Sequence, residues 1–197
     1  MSDARVIKAL TPETFPAWLA LADKHNGVWG GCYCSYFHAD TADTVKDDYD
    51  RATFKRRLVN EGVAHAALVF DGDAAIAWCE YGSPEELPGI YHRKQYDAGE
   101  TNPAPWRITC FFVDRDHRRA GVAYEALEGA LSLIALAGGG EVVSFPNELE
   151  PGARTSSSFL HNGTRAMFEK AGFVFERHVG KSKTVVRKTV PARTPAP

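Results

Sequence analysis

The chain carries almost no net charge. Its 197 residues hold 23 Lys and Arg against 25 Asp and Glu, a formal net charge of -2 at pH 7. That balance supplies no general pull toward nucleic acid or a membrane surface, so neither is expected as a partner and any phosphate binding must be local. Long apolar runs are also missing. The longest soft stretch, Ala130 to Ala137, ends in Gly138-Gly139-Gly140, far short of the ~20 residues that a membrane-spanning helix needs. Met1 to Val6 is polar and leads straight into structured patterns rather than an export signal, so a cytoplasmic protein is expected. Only four cysteines occur, Cys32, Cys34, Cys79 and Cys110, and without export they are expected as free thiols. Cys32 and Cys34 stand two apart, not in Cys-x-x-Cys spacing, with His38 the one nearby partner, so no metal centre is expected. No internal repeat is present.

What is there suits one domain, residues 1–190, followed by a Pro-rich tail, 191–197, expected to fray. Apolar residues make up 44% and charged residues 24%, ordinary values for a folded chain. Arg5 to Leu10 reads as a strand. Thr11-Pro12-Glu13-Thr14 reads as a helix start with Thr11 as N-cap, and Phe15, Trp18, Leu19 and Ala22 supply one buried face before Asn26-Gly27 ends the helix. A second helix is expected from Asp50 to Asn60, with Phe54 and Leu58 on one stripe. His65 to Phe70 and Ala74 to Tyr81 flank Asp71-Gly72-Asp73, a hairpin turn signal. Gly82 to Pro105 is a long irregular segment, of the kind that forms a binding loop or hides a short helix. Trp106 to Val113 is rich in strand formers. A helix from Arg118 to Ala137, a strand from Glu141 to Phe145, a short helix from Gly163 to Ala171 and a hairpin of Val174–Val179 and Thr184–Val190 complete the chain. Hairpins mixed with crossovers argue for a mixed α/β fold, a sheet flanked by helices rather than a doubly wound parallel one.

One segment carries recognisable chemistry. A buried strand ends at Val113, a polar turn follows, and a helix opens near Arg119 with Gly121 in its first turn. The first N–H groups of a helix lack internal partners and sit at the positive end of its dipole. They form an anion site suited to pyrophosphate. Gly121 removes the Cβ that would block approach to the backbone, and Arg118 and Arg119 add local positive charge. Read without a ligand, the same segment is a solvated basic turn.

Arg118-x-x-Gly121-x-Ala123 resembles the acetyl-CoA pyrophosphate loop of the GNAT superfamily of N-acetyltransferases. Phe168-Glu169-Lys170-Ala171-Gly172-Phe173 resembles the second hallmark of that family, an aromatic residue followed after three residues by Gly-Phe. The element order matches the family fold from Arg5 to Val190. The resemblance implies a mostly antiparallel sheet of about six to seven strands, two of which splay apart to admit pantetheine. It also implies acetyl-CoA as co-substrate and direct attack on the thioester by a primary amine of a small molecule or peptide. Cofactor contacts would come from the strand end Phe111-Phe112-Val113, with the Val113 N–H facing the oxyanion. They would also come from Arg118-Arg119-Ala120-Gly121-Val122-Ala123, and from Asn162 and Phe168. A homodimer is compatible with the family.

The sequence departs from the family in three places. Phe168 stands where Tyr often protonates the departing thiolate. His161 occupies the place of a frequent Asn, and Asn162, one later, is the alternative contact, or else a helix N-cap. No Glu lies on the strand 106–113. Glu80 on the preceding strand is the nearest candidate base, with Trp78 on its face and Cys79 and Tyr81 on the other; water relays are the alternative. The aromatic stretch Trp29–Phe37 falls on the acceptor side of the family fold, either lining that pocket or covering a sheet end. These departures keep a second function open, a non-catalytic acyl-CoA-binding regulatory module, and a third, a redox or metal protein built on Cys32 and Cys34.

Overall fold

The computed structural model describes residues 4–38, 50–149, 156 and 158–194. Seven strands form one sheet in the order β1-β2-β3-β4-β5-β7-β6. They are β1 (Val6–Ala9), β2 (His65–Asp71), β3 (Ala74–Gly82), β4 (Trp106–Val113), β5 (Gly140–Ser144), β6 (Val174–Val179) and β7 (Lys183–Val190). All neighbours run antiparallel except β4 and β5. That one parallel pair requires a crossover, and α4 (Val122–Leu136) supplies it.

The two faces of the sheet are covered by different helices, as strand alternation demands. Ala67, Val69, Ala77, Cys79 and Phe111 pack under α4 through Ala126, Leu127, Ala130 and Ile134. Leu68, Phe70, Trp78, Cys110 and Phe112 point the other way, toward α1 (Phe15–Lys24). There Trp18 and Trp78 meet with ring centroids 5.4 Å apart. Each fully buried side chain of this kind contributes roughly 1.5–3 kcal/mol. A third cluster, Tyr96, Val143, Phe145, Val179 and Val185, backs the far half of the sheet.

Several local boundaries differ from the expectations. The first helix begins at Phe15 with Thr14 as N-cap. Thr11 and Thr14 still make the reciprocal box, because the Thr11 N–H donates to Thr14 Oγ1 at 2.8 Å and the Thr14 N–H to Thr11 Oγ1 at 3.4 Å. In α2 (Arg51–Asn60) the buried stripe is Lys55 and Val59 rather than Phe54 and Leu58. The segment 82–105 holds α3 (Arg93–Ala98). The long helix opens at Val122, three residues later than expected. Gly121 is therefore its N-cap, in the left-handed region at φ 79°, and Arg118 to Ala120 lie in the turn. The short helix α5 (Arg165–Lys170) is capped by Thr164, not Asn162. The tail is held at least to Arg193, whose N–H donates to the Ala135 carbonyl at 2.8 Å. Residues 195–197 lie outside the described ones. Among the described residues, no helix is long and apolar enough to cross a membrane.

Candidate active site

The sheet opens at its middle. β4 pairs with β5 only through Trp106, Arg107 and Ile108, while β4 itself runs on to Val113. On its other side β4 carries a bulge: Phe111 faces Cys79 and Ile108 faces Tyr81, so Thr109 and Cys110 share Glu80 as their opposite number. A bulge bends and twists its strand, and here it turns the last half of β4 away from β5.

The backbone on the open edge can be assigned. The Asp114 N–H donates to the Ile76 carbonyl on the β3 side at 2.8 Å. By strand alternation the peptide groups of Phe111 and Val113 face the opposite way, into the gap. Two side chains already use carbonyls of that series. Asn162 Nδ2 donates to the Thr109 carbonyl at 2.6 Å, and Arg118 Nε donates to the Val113 carbonyl at 3.2 Å.

A cavity of about 620 Å³ lies at this gap. One end is basic, with Arg118, Arg119 and Gly121. The walls are apolar, with Phe111, Val122, Leu160 and Met167. Arg119 and Gly121 both adopt positive φ, 64° and 79°, which turns the chain sharply into α4. The Gly121 carbonyl accepts from the Tyr124 and Glu125 N–H groups at 2.9 and 3.1 Å. The N–H groups of Val122 and Ala123 are left at the helix head without intrahelical acceptors. A Cβ at Gly121 would meet no protein atom within 4 Å, so the glycine is needed for its backbone angle and faces open space. Amides, guanidinium groups and apolar walls are the donor set and lining that a diphosphate joined to an apolar arm requires.

Behind the turn, Asp114 anchors it. Its side chain is almost fully buried and accepts from Lys24 Nζ at 2.7 Å, from His25 Nε2 at 3.2 Å and from the Asp116 N–H at 3.2 Å. Burial alone would raise its pKa, but the Lys24 ammonium dominates and holds it at about 2.

A second cavity, about 490 Å³, adjoins the first, and Trp29 lines both. Its other walls include Cys32, Tyr36, Phe37, Tyr91, Cys110 and His161. The aromatic stretch after α1 is therefore cavity wall as well as core. Its packing is close: the Tyr36 and Tyr91 rings stack at 5.3 Å, and Phe37 meets Tyr91 edge-on at 5.9 Å.

Glu80 lies on the predicted face, with Trp78, but lines neither cavity. It is fully buried. Its Oε1 accepts from Lys55 Nζ at 2.8 Å and from the Cys34 thiol at 3.1 Å, and its Oε2 accepts from the Thr109 hydroxyl at 2.7 Å. Lys55 uses its other two protons on the Cys34 carbonyl at 3.1 Å and on His38 Nε2 at 2.7 Å. The His38 ring can accept there because its Nδ1–H donates to the Glu86 carbonyl at 2.9 Å, and burial, then Lys55, lowers its pKa. Burial alone would raise the Glu80 pKa, yet the Lys55 charge more than offsets it and holds the carboxyl well below the usual range. A carboxylate so satisfied is a poor proton acceptor. It ties β3, the β4 bulge, α2 and the loop at 34–38 together instead.

The remaining predicted residues divide. Phe112 and Val113 line the first cavity with Phe111. Phe168 does not: it is fully buried behind Phe111, edge-on at 5.8 Å, and against Phe173 at 4.9 Å. It therefore supports the wall without reaching a ligand. Asn162 is buried too, its amide nitrogen on Thr109 and its oxygen accepting from Lys183 Nζ. Cys32 and Cys34 are free, and burial raises both thiol pKa values, against the thiolate that redox or metal chemistry needs. Among the described residues no group of three or more His, Cys, Asp or Glu side chains could hold a metal ion. Lys55 and Lys183 were not singled out from the sequence. For Lys55 a signal existed, since it sits one turn from both Arg51 and Val59.

Neither a protein-family model nor a curated protein matches the chain. Solved structures do. A Desulfovibrio desulfuricans protein assigned to the GNAT acetyltransferases superposes with a TM-score of 0.51 at 15% identity, over 95% of this chain and 99% of its own. A Corynebacterium glutamicum acetyltransferase gives 0.53 at 14% identity, over 99% of both chains. RimL, an alpha-N-acetyltransferase for a ribosomal protein, solved with coenzyme A, gives 0.51 at 12% identity, over 98% of this chain and 97% of its own. At these identities the likeness is one of architecture, and on it the chain has the fold of the GNAT acetyltransferases.

Proposed function

We propose that the chain is an acetyl-CoA-dependent N-acetyltransferase acting on a primary amine of a small molecule or peptide. One observation carries this reading: the cavity at the head of α4, with Arg118, Arg119 and Gly121 at one end, and a second, aromatic-walled cavity share Trp29 as a common wall. Acetyl-CoA, a substrate consumed at each turnover, supplies an activated acyl thioester. Arg119 and the Val122 and Ala123 amides suit its diphosphate. The open edge of β4 suits its pantetheine amides, and the Val113 N–H suits the role of donor to a developing oxyanion. The aromatic residues Trp29, Tyr36 and Phe37 suit an apolar wall on the acceptor side.

Calorimetry of acetyl-CoA binding to the native chain and to Gly121→Glu tests the cofactor site, and thiol release with a panel of amines tests transfer. Binding that the substitution abolishes, with thiol release that depends on an amine, supports the reading. Binding without release with any amine supports a non-catalytic acyl-CoA module, the reading favoured by the buried Phe168 in place of a proton donor. A native chain that does not bind acetyl-CoA overturns both.

A further inference from the structure

The cleft still needs a group to take the proton that an amine loses on acylation. Glu80 is committed elsewhere. The candidate is where the two cavities meet. His161 lines the second cavity, and its neighbour Leu160 lines the first. Its ring sits between aromatic walls, with centroids 5.6 Å from Tyr91, 6.2 Å from Phe37 and 6.3 Å from Trp29.

The tautomer is fixed by its surroundings. His161 Nδ1 lies 2.6 Å from the Ser158 carbonyl. A carbonyl can only accept, so Nδ1 carries the proton and the lone pair is on Nε2. That Nε2 is buried and has no hydrogen-bond partner among the described residues. Leaving a buried acceptor unmet is costly, and such groups in native proteins call for an explanation. Trp29 Nε1, a donor, is unmet as well. Thus two unmet polar atoms of opposite kind belong to the two rings that frame the junction.

We propose that His161 is the general base of the transfer, its Nε2 receiving the proton of the acceptor amine. The inference rests on the acetyltransferase reading. The neutral amine nitrogen bonds to the acetyl carbonyl carbon, the C–S bond breaks with its electron pair leaving on sulfur, and one N–H proton moves to Nε2. The imidazolium then returns that proton, directly or through solvent, to the thiolate, giving amide and free coenzyme A thiol. The Ser158 carbonyl orients the ring throughout, as the second nitrogen's partner does in other histidine bases.

The groups around the ring suit this cycle. Lys183 on β7, Arg51 on α2, His92, Tyr36, Tyr91, and the Cys32, Cys34 and Cys110 thiols are the charged or titratable residues lining the same cavities. Burial lowers the His161 pKa, the Ser158 carbonyl opposes this, and Lys183 adds to it. The ring is therefore neutral and ready at pH 7, and its imidazolium is a ready proton donor.

The test is kinetics of native chain, His161→Gln and His161→Asn with one alkylamine acceptor, beside acetyl-CoA calorimetry. Expected is a fall in kcat of about 100-fold or more in both variants, with acetyl-CoA affinity unchanged. The pH profile adds a readout that loss of packing would not produce. For the native chain log kcat/KM rises with slope two at acid pH, where amine and imidazole must both lose protons, and slope one above the His161 pKa. The variants keep slope one throughout. Added imidazole restores turnover to His161→Gly. Variants that retain native kcat and the slope break overturn the assignment and leave the acetyltransferase reading standing. A native chain that binds acetyl-CoA but transfers to no amine, or does not bind it, overturns the assignment together with that reading.

Discussion

Replacing Lys55 with Met asks whether charge holds the buried network together. Met keeps the length and apolar stem of Lys55 but removes the ammonium that serves three acceptors. Glu80 would then keep a thiol and a hydroxyl as donors, with neutral His38 Nε2 3.2 Å away, but no cation. Breaking a buried ion pair by deleting one partner costs about 3–5 kcal/mol, a large share of the ~5–15 kcal/mol that stabilises a domain. At about 2–4 °C per kcal/mol for a chain of this size, Tm falls by roughly 6–20 °C. The pH dependence has a defined sign. Because the folded pKa of Glu80 lies below its ordinary value of 4.5, its ionised form contributes stability above the unfolded pKa, and that contribution is lost as pH falls toward the folded one. Without Lys55, burial raises the folded pKa instead, so Glu80 takes up a proton on folding and the deficit of the variant shrinks as pH falls. Urea unfolding of native, Lys55→Met, Glu80→Gln and the double variant, at about pH 7.5 and about pH 5, measures both effects. The double variant, with no unpaired charge, should be more stable than the sum of the singles requires. Singles that cost under about 1 kcal/mol, or a double that is simply additive, refute the argument.

Four further outcomes follow from the geometry. Gly121→Glu places a charged side chain on a residue at φ 79°; it should cost about 1–2 kcal/mol in stability and reduce acetyl-CoA affinity below detection by calorimetry. Arg119→Ala should weaken that binding about 5-fold, and less so at high salt, which a salt titration of Kd measures. Asp114→Asn removes the buried negative charge that Lys24 faces, although Lys24 keeps Asp116; the stability contribution of Asp114 is complete above 3.8 and lost as pH falls through about 2, so the variant should lose about 1–2 kcal/mol at neutral pH, discounted because Lys24 is half exposed, and nothing at the acid end. Lys183 has a folded pKa of about 8 against 10.5, so the unfolded chain binds more protons between those values; native stability should rise with pH across that window, and Lys183→Met should lack the rise.

The fold was legible where one period dominates. The strand at 106–113 and the hairpin at 71–73 were found within a residue or two because β-branched and aromatic runs bounded by a turn have few alternatives. The helix after the phosphate turn was placed three residues early. Its apolar period begins at Val122, but Arg118 and Arg119 also favour helix, and only the left-handed φ of Arg119 and Gly121 shows that the turn, not the helix, holds them. The correction changes which amides stand at the head of the helix. A glycine N-cap leaves the amides of Val122 and Ala123 facing outward, whereas an earlier start would have spent them inside the helix.

The acceptor side was legible only as composition. Trp29, Tyr36, Phe37 and Cys34 announce a wall, yet their contacts come from residues far along the chain: Tyr91, Cys110 and His161 for the cavity, Lys55 and Glu80 for the network beneath it. Pairings at such separations leave no local period. Burial of charge also inverts the usual inference, since a Lys in a polar helix reads as solvated, and only its partners make Lys55 a core residue. The same reversal applies to the two candidate bases. Glu80 is the better base by residue type and the worse by environment, because three donors, one of them the Lys55 cation, hold its charged form. His161 looked like a lost asparagine, and environment gives it a role: one nitrogen is committed to Ser158, and the other is left buried and unmet on a ring set among Trp29, Phe37 and Tyr91.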